Sequence, residues 1–330
     1  MAAENSTDHL IRSLADKFST ALSGIIAPDQ PYALLDFPDH PNVGDSAIYT
    51  GEMVFLEPYM KRSPSYVCTI ENYARDIDRF CPEGPILLHG GGNFGTVWPK
   101  HQHFRHEILE RYPDRQVVQL PQSIHFSDDA TREATARAIG AHKNFTLLVR
   151  DLPSFELAQK HFDCTTVMCP DAAYNMLHLP PTAPAQHPVL SILRRDPEKV
   201  ENDIRPYLES LGPIDDWGRH FWARSLTDRV VERYIAPQMR GSRMLMARRE
   251  RMYLRQAWNR VHYGVKLLQR GERLVSDRLH VHIMAGLMRR EHVALDNFYG
   301  KISNFIEAWG EDGLVKRAND LTSLKAALAE

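Results

Sequence analysis

Short apolar runs, each broken off by a polar or glycine-containing loop that leads into a helix-like segment, set the strongest constraint on how this chain can fold. Tyr32 to Leu35 runs into Asp36-Phe37-Pro38-Asp39-His40-Pro41-Asn42-Val43-Gly44-Asp45, and Pro85 to His89 runs into Gly90-Gly91-Gly92-Asn93-Phe94-Gly95. Gln116 to Leu120 leads into Pro121-Gln122-Ser123, Asn144 to Val149 into Arg150-Asp151, and Val167 to Cys169 into Pro170-Asp171. A strand, a polar loop and a capped helix, repeated, describe an α/β fold on a parallel sheet. Its loops then lie along the carboxyl edge, where ligands bind. Asp45 is placed to cap a helix through about Leu56, Ser154 a later one, and Asp128 to Ile139 reads as a surface helix. Leu10, Leu14, Phe18, Leu22 and Ile25 recur at helical spacing and predict an amphipathic opening helix.

Pro180-Pro181-Thr182-Ala183-Pro184-Ala185 reads as a stiff linker. Beyond it, Pro188 to Leu193 begins a second α/β unit, so the expected organisation is residues 1–180 and 181–330. In that second unit the run Arg273-Leu274-Val275 precedes Ser276-Asp277-Arg278-Leu279-His280. Leu279, Ile283 and Leu287 share one helical face. Ser276 and Asp277 sit where they would cap the helix, which places Arg278 and His280 beside its positive end. That is a site for an anion such as phosphate or carboxylate. The blander reading is an Arg278–Asp277 pair and a buried histidine with one hydrogen bond.

With 330 residues the chain can hold two cores, and 43% hydrophobic with 25% charged residues is the balance of a soluble globular protein. A formal net charge of -2 argues against a nucleic-acid partner. No apolar run approaches a membrane span, and Met1 to Phe18 carries no apolar signal region, so the expected location is the cytoplasm. Cys68, Cys81, Cys164 and Cys169 lack zinc spacing and read as reduced thiols. From Arg219 to Arg273 the chain is helical and basic. A solvated face is the default reading, and the alternative is that Arg240 to Arg270, interleaved with Met244, Met246, Met252, Leu254 and Trp258, rests on anionic lipid at the inner face of the membrane.

Two motifs weaken on inspection. Gly90, Gly92 and Gly95 fit the dinucleotide fingerprint, but the following strand, Gln116 to Leu120, ends without the acidic residue that holds a ribose. What survives is a backbone that can approach a ligand closely, with bare N–H groups forming an anion-binding concavity. His101, His103 and His106 lack a neighbouring carboxylate or thiol pattern to complete a metal site, and no metal is expected.

In this order, Asn42-Val43-Gly44-Asp45, Gly90 to Gly95, Leu120-Pro121-Gln122-Ser123, Arg150-Asp151, Pro170-Asp171, Ser276 to His280, Leu295-Asp296-Asn297 and Tyr299-Gly300-Lys301 resemble the polysaccharide pyruvyl transferases. The chain departs from many of these where Val281 follows the Arg-Leu-His run and where Pro170-Asp171-Ala172-Ala173 stands. The resemblance implies two Rossmann-like domains facing a cleft, similar to the glycosyltransferase B (GT-B) type. It also implies transfer of the pyruvyl group of phosphoenolpyruvate to a sugar of an exopolysaccharide or its lipid-linked precursor, closing a ketal without a cofactor.

On that reading Arg150, Arg278 and Lys301 bind the donor's phosphate and carboxylate. His280 moves the proton, with Asp45 as a second acid or base. Asn42, Gly44, Gly91, Gly92, Asn93 and Gln122 contact substrate. Two other classes fit the same loops: a glycosyltransferase using a nucleotide sugar, and a non-catalytic polysaccharide-assembly protein. The sequence does not mark an oligomeric state.

Overall fold

The computed structural model describes residues 2–194, 204–217, 241–296, 300–311 and 313–329, except the side chains of residues 2–5 and of Lys301. The first sheet holds β1 (Ala33–Leu35), β2 (Tyr66–Cys68), β3 (Ile86–Leu88), β4 (Gly91–Gly95), β5 (Val117–His125), β6 (Phe145–Val149) and β7 (Thr165–Met168). Their order is β2-β1-β3-β5-β6-β7, with β4 paired to β5, and every pairing is parallel. Parallel strands are covered on both faces, which is why Leu34, Leu87, Val118 and Leu147 are all fully buried. Helices α1 (Ala2–Ser23), α2 (Val43–Met60), α3 (Ile77–Phe80), α4 (Pro99–Arg111), α5 (Asp129–Gly140) and α6 (Leu152–His161) join or cover them, and a 3-10 turn, Ala172–Met176, follows β7.

The second sheet comprises β8 (His187–Ile192), β9 (Ile214–Asp215), β10 (Gly271–Ser276), β11 (His292–Leu295) and β12 (Lys316–Ala318). Its order, β12-β11-β10-β8-β9, is again wholly parallel. Its helices are α7 (Arg205–Leu211), α8 (Arg243–Leu268), α9 (Leu279–Leu287), α10 (Lys301–Trp309) and α11 (Leu321–Ala329). No described helix is long and apolar enough to cross a membrane.

Each sheet has a point where the winding reverses: between β1 and β3 in the first, and between β8 and β10 in the second. In an open parallel sheet that reversal leaves a crevice at the strands' carboxyl ends. The residues delivered there are Asp36 and His89 from the first sheet, and Arg194 and Arg278 from the second.

Three described helices run across both cores, α2 among them, with Val43 and Ala47 in the second and Ile48, Met53 and Leu56 in the first. Ile11 and Leu14 of α1 lie in the second core, whereas Phe18 and Leu22 lie in the first. Met246, Met252, Tyr253 and Ala257 of α8 join the first core, and Val261, Val265, Leu267 and Leu268 join the second. The sequence division at 180/181 therefore falls between the sheets, but α1, α2 and α8 tie the two units together. Each fully buried side chain of this size contributes about 1.5–3 kcal/mol, so this is a substantial joint. The linker is also fixed, since Gln269 Oε1 accepts the backbone N–H groups of Thr182 and Ala183.

The basic stretch is described only from residue 241 onward, and there, apart from the exposed Met244, the apolar residues that suggested a lipid surface face inward. Met246 and Met252 are buried, and Leu254 and Trp258 are half-buried against the cores. Arg243, Arg251, Arg255 and Lys266 form the exposed face of α8, the solvated side of an amphipathic helix.

Candidate active site

A cavity of about 440 Å³ lies where the two reversal points meet. From the first unit it is lined by Asp36, His40, Asn42, Asp45, His89, Gly92, Asn93, Trp98, His101 and Arg150, and from the second by Arg194, Trp217, Arg278 and His280. The first turns of α2 and α9 both open onto it, so two positive helix ends face one space.

The start of α2 departs from the sequence expectation. Asn42, not Asp45, is the N-cap: its Oδ1 accepts the Gly44 N–H at 2.9 Å. Asp45 lies in the first turn, where His40 Nε2 and Asn42 Nδ2 approach its Oδ2 at 2.7 and 2.8 Å. Burial would raise the pKa of Asp45, but the hydrogen bond and charge of His40, with His280 and His89 nearby, overcome it and hold the carboxyl far below its ordinary range. Asp45 is therefore a fixed carboxylate, poorly suited to give or take protons near neutral pH. Gly44 serves packing: a Cβ there would lie 2.6 Å from His280 Nδ1, so the helix start is pressed against that ring.

The glycine run is also not a loop of bare N–H groups. Residues 91–95 form β4, with Gly91 at φ 132. The Gly90 N–H donates to Glu52 Oε1 at 2.8 Å and the Asn93 N–H to Gln122 Oε1 at 3.1 Å, so neither is available to an anion. Gln122 is fully buried and donates to His89 O and Asn93 Oδ1. Gly92 and Asn93 reach the cavity wall, while Gly91 and Gln122 stand behind it.

Arg150 is buried and pairs with Asp171: Nη1 donates to Asp171 Oδ2 at 2.5 Å and Nε to Ser123 Oγ at 3.0 Å. Asp151 instead caps α6 by accepting the Ser154 N–H at 2.9 Å, the role expected of Ser154. The oxygen of Asp171 that meets Arg150 also lies 3.3 Å from His280 Nε2. Although burial pushes the Asp171 pKa up, His280 and then Arg150 outweigh it and hold the carboxyl well below its usual range. One carboxylate oxygen thus joins an arginine of the first unit to the histidine of the second.

At the end of β10, Ser276 Oγ donates to Ile192 O at 2.6 Å and accepts the Arg278 N–H at 3.0 Å. Asp277 Oδ1 accepts the Arg194 N–H at 2.9 Å, and burial lifts the Asp277 pKa to about 6. Both side chains fasten β10 to β8 instead of capping α9, whose N-cap is Arg278 itself. The Arg278 guanidinium pairs with Asp216 Oδ1 at 2.9 Å and lies 6.0 Å from the Trp217 ring centre. Lys301 begins α10, capped by Asp296 through the Ile302 and Ser303 N–H groups, but its side chain lies outside the described residues.

Several cavity residues escape the sequence reading, among them Asp36, His40, His89, Trp98, Arg194 and Trp217. His101 does too, in the sense that it faces Asp36 Oδ2 at 2.6 Å, whereas His106 turns away to Thr135. Asp36 has φ 69, an unusual conformation for a residue with a side chain. A signal existed for Asp36 and His89 alone: each is the first residue past a strand at the reversal point.

The family profile "Polysaccharide pyruvyl transferase" matches residues 42–297. The chain is 28% identical to "Putative pyruvyl transferase EpsO" of Bacillus subtilis (strain 168) over 311 residues, 92% of each chain. It is also 28% identical to "Pyruvyl transferase 1" of Schizosaccharomyces pombe (strain 972 / ATCC 24843) over 307 residues, 84% of this chain and 69% of that one. The crystal structure of a functional uncharacterized protein, KP1_0663 of Klebsiella pneumoniae subsp. pneumoniae NTUH-K2044, shares the fold with a TM-score of 0.58 at 15% identity, covering 93% of this chain and 98% of that one. With this match over most of its length, and with Asn42, Asp45, Gly92, Asn93, Arg150, Arg278 and His280 of the motif segments lining one cavity between two parallel α/β units, the chain is a transferase that belongs to the polysaccharide pyruvyl transferase family.

Proposed function

We propose that the cavity binds phosphoenolpyruvate and passes its pyruvyl unit to two hydroxyls of a sugar in an exopolysaccharide or its lipid-linked precursor, closing a ketal between units arranged in the GT-B manner. The observation that carries this reading is the Arg150–Asp171–His280 junction, because it sets an anion-binding guanidinium beside a proton-transfer group at two helix N-termini. Arg278 approaches from the opposite unit, and Lys301 is the third donor-binding cation of the proposal. Buried carboxylates hold both arginines in fixed orientations, so the donor meets a preorganised fork rather than flexible side chains. Trp98, 45% exposed at the rim, offers a flat face on which a sugar ring can stack.

The chemistry needs a proton delivered to the donor's methylene carbon and protons removed from the hydroxyls. His280, facing the cavity beside Asp171, is placed to take part. Asp45, held as a carboxylate, fixes His40 and Asn42 at the start of α2. An enzyme acting on polysaccharide precursors would work on the cytoplasmic side of the membrane. The test is phosphate release from phosphoenolpyruvate over a panel of lipid-linked and nucleotide-linked sugars. Release dependent on one acceptor, with a ketal in the product, supports the reading. Stabilisation by a nucleoside diphosphate and none by phosphoenolpyruvate would turn it toward glycosyl transfer.

A further inference from the structure

We propose that His89 is the acid that gives a proton to the methylene carbon of the donor, leaving His280 to take the proton of the attacking hydroxyl. The assignment rests on the phosphoenolpyruvate reading of the cavity and divides its proton transfers between two residues.

His89 follows β3 at the reversal point of the first sheet, lines the cavity, and is only 3% exposed. Its Nδ1–H donates to Glu52 Oε2 at 2.8 Å. Glu52, on α2, is fully buried, and its other oxygen accepts the Gly90 N–H at 2.8 Å. The carboxylate is thus fixed by backbone on one side and by the ring on the other, which sets the ring's tautomer and aim. His89 Nε2 is buried and has no partner.

A histidine serving only the fold would use both nitrogens, because an unmet polar atom in the interior is costly. Here the unmet atom belongs to a residue of the cavity wall. Burial alone would favour a neutral ring, but Glu52, with Asp36 and Asp45 also facing it, outweighs burial and raises the His89 pKa. The edge of Tyr49 packs on the remaining side, with ring centres 5.9 Å apart. In its protonated form the ring presents an Nε2–H to the cavity, the state a general acid requires.

The transfers balance over one turnover. His89 Nε2 gives its proton to the methylene carbon, which becomes the methyl group. The first hydroxyl oxygen bonds to the neighbouring carbon while His280 takes its proton. The carbon–oxygen bond to phosphate then breaks, and His280 returns its proton to the departing phosphate. The second hydroxyl bonds to the same carbon and its proton restores His89. Two hydroxyl protons are lost; one ends on carbon and one on phosphate.

His89→Gln retains a hydrogen-bonding side chain without an exchangeable acid proton. Turnover measured by phosphate release should fall by about 10²- to 10⁴-fold, while phosphoenolpyruvate affinity by calorimetry stays within about threefold. Glu52→Gln keeps an acceptor for Gly90 but removes the charge that holds the ring's proton, so the alkaline limb of kcat should move to lower pH. A purely structural Glu52 would change the melting temperature and leave that limb in place.

Wild-type turnover in His89→Gln overturns the proposal and leaves the donor reading intact. A parallel loss of affinity and turnover makes His89 an anion ligand and overturns the acid role. A wild-type protein that neither binds phosphoenolpyruvate nor releases phosphate from it overturns the donor reading, and this proposal with it. Where His89→Gln fails to fold, the pH profile of Glu52→Gln decides: a shifted limb supports the acid role and an unmoved limb overturns it.

Discussion

Two buried histidine–carboxylate assemblies in this protein use the same chemistry and end differently. In the cavity, His89 leans on Glu52 and keeps one nitrogen unmet, and His280 stands 3.3 Å from Asp171 beside open space. In the second core, His282 Nδ1 meets His292 Nε2 at 2.7 Å, and its Nε2 meets Glu311 Oε2 at 2.5 Å. Tyr174 O–H donates to Glu311 as well, and His292 Nδ1–H donates to Arg290 O. Every ring nitrogen of that second group is used. Only Val281 separates His280 from His282 on α9, so the helix carries a reactive group on one face and a fastening on another. Unmet bonding capacity beside a cavity, rather than residue type or burial, separates the two roles.

The largest effect should come from the cavity side. His280→Gln should lower turnover by about 10²- to 10⁴-fold with donor affinity little changed, read by phosphate release and calorimetry. An unchanged rate would leave His280 as a packing partner of Gly44 and erase the contrast with His282.

Next in size is Arg278→Ala. Removing a buried charge-assisted contact should weaken phosphoenolpyruvate binding by roughly 2–4 kcal/mol. Because Asp216 is then left buried without this partner, the melting temperature should fall too. Unaltered affinity in calorimetry would remove Arg278 from the donor site.

On the core side, Glu311→Ala should cost stability and spare chemistry. The substitution strips partners from Tyr174 and His282 and should destabilise by about 2–4 kcal/mol, with kcat per folded enzyme unchanged. A selective loss of kcat at full stability would mean that the fastening also positions His280.

How much of this contrast was legible beforehand depends on distance along the chain. The strands were readable because parallel strands are buried on both faces and so appear as unbroken apolar runs, as at Ile86-Leu87-Leu88. The anion-site segment around Arg278 was readable because its parts are contiguous. Asn42 and Asp45 are both capping types three residues apart, and only geometry shows which one caps. His89 looks like the end of a strand until Glu52, 37 positions earlier, is brought against it. Asp171 likewise gains its meaning from Arg150 and His280, which lie on different elements. In α8 the arginines drew attention from an apolar stripe, Met246, Tyr253, Ala257, Val261 and Val265, which packs that helix against both cores.

Acid should act on the core assembly through His292. Burial first, then the neighbouring His282, lowers the His292 pKa to about 3, against about 6.5 in an unfolded chain. The unfolded state therefore takes up a proton as pH falls below about 6.5, while the folded state resists until about 3. The stability this ring contributes is full above about 6.5 and drains away across that window. His292→Gln should flatten that part of a stability–pH curve measured by urea unfolding, and an identical slope in the variant would assign the acid sensitivity elsewhere.

The smallest effect is expected where charge is neither buried nor facing the cavity. Arg251 and Arg255 lie one turn apart on the exposed face of α8, and the apolar residues between them and the cores point inward. Replacing both with Ala should change stability by no more than about 0.5 kcal/mol, as for ordinary surface positions. Turnover on a water-soluble acceptor should not change. The same pair gives the lipid-surface idea its fairest trial, because on the described part of α8 only Met244 adds an exposed large apolar side chain to that charge. Any adhesion would then be electrostatic, each arginine adding about 1 kcal/mol and the whole fading as salt rises. Flotation with anionic vesicles at low salt, reduced in the double variant and absent with neutral vesicles, would give these arginines a role outside both histidine assemblies. Equal recovery of both proteins with both kinds of vesicle leaves the stripe as the solvated face of a helix whose work is done on its other side.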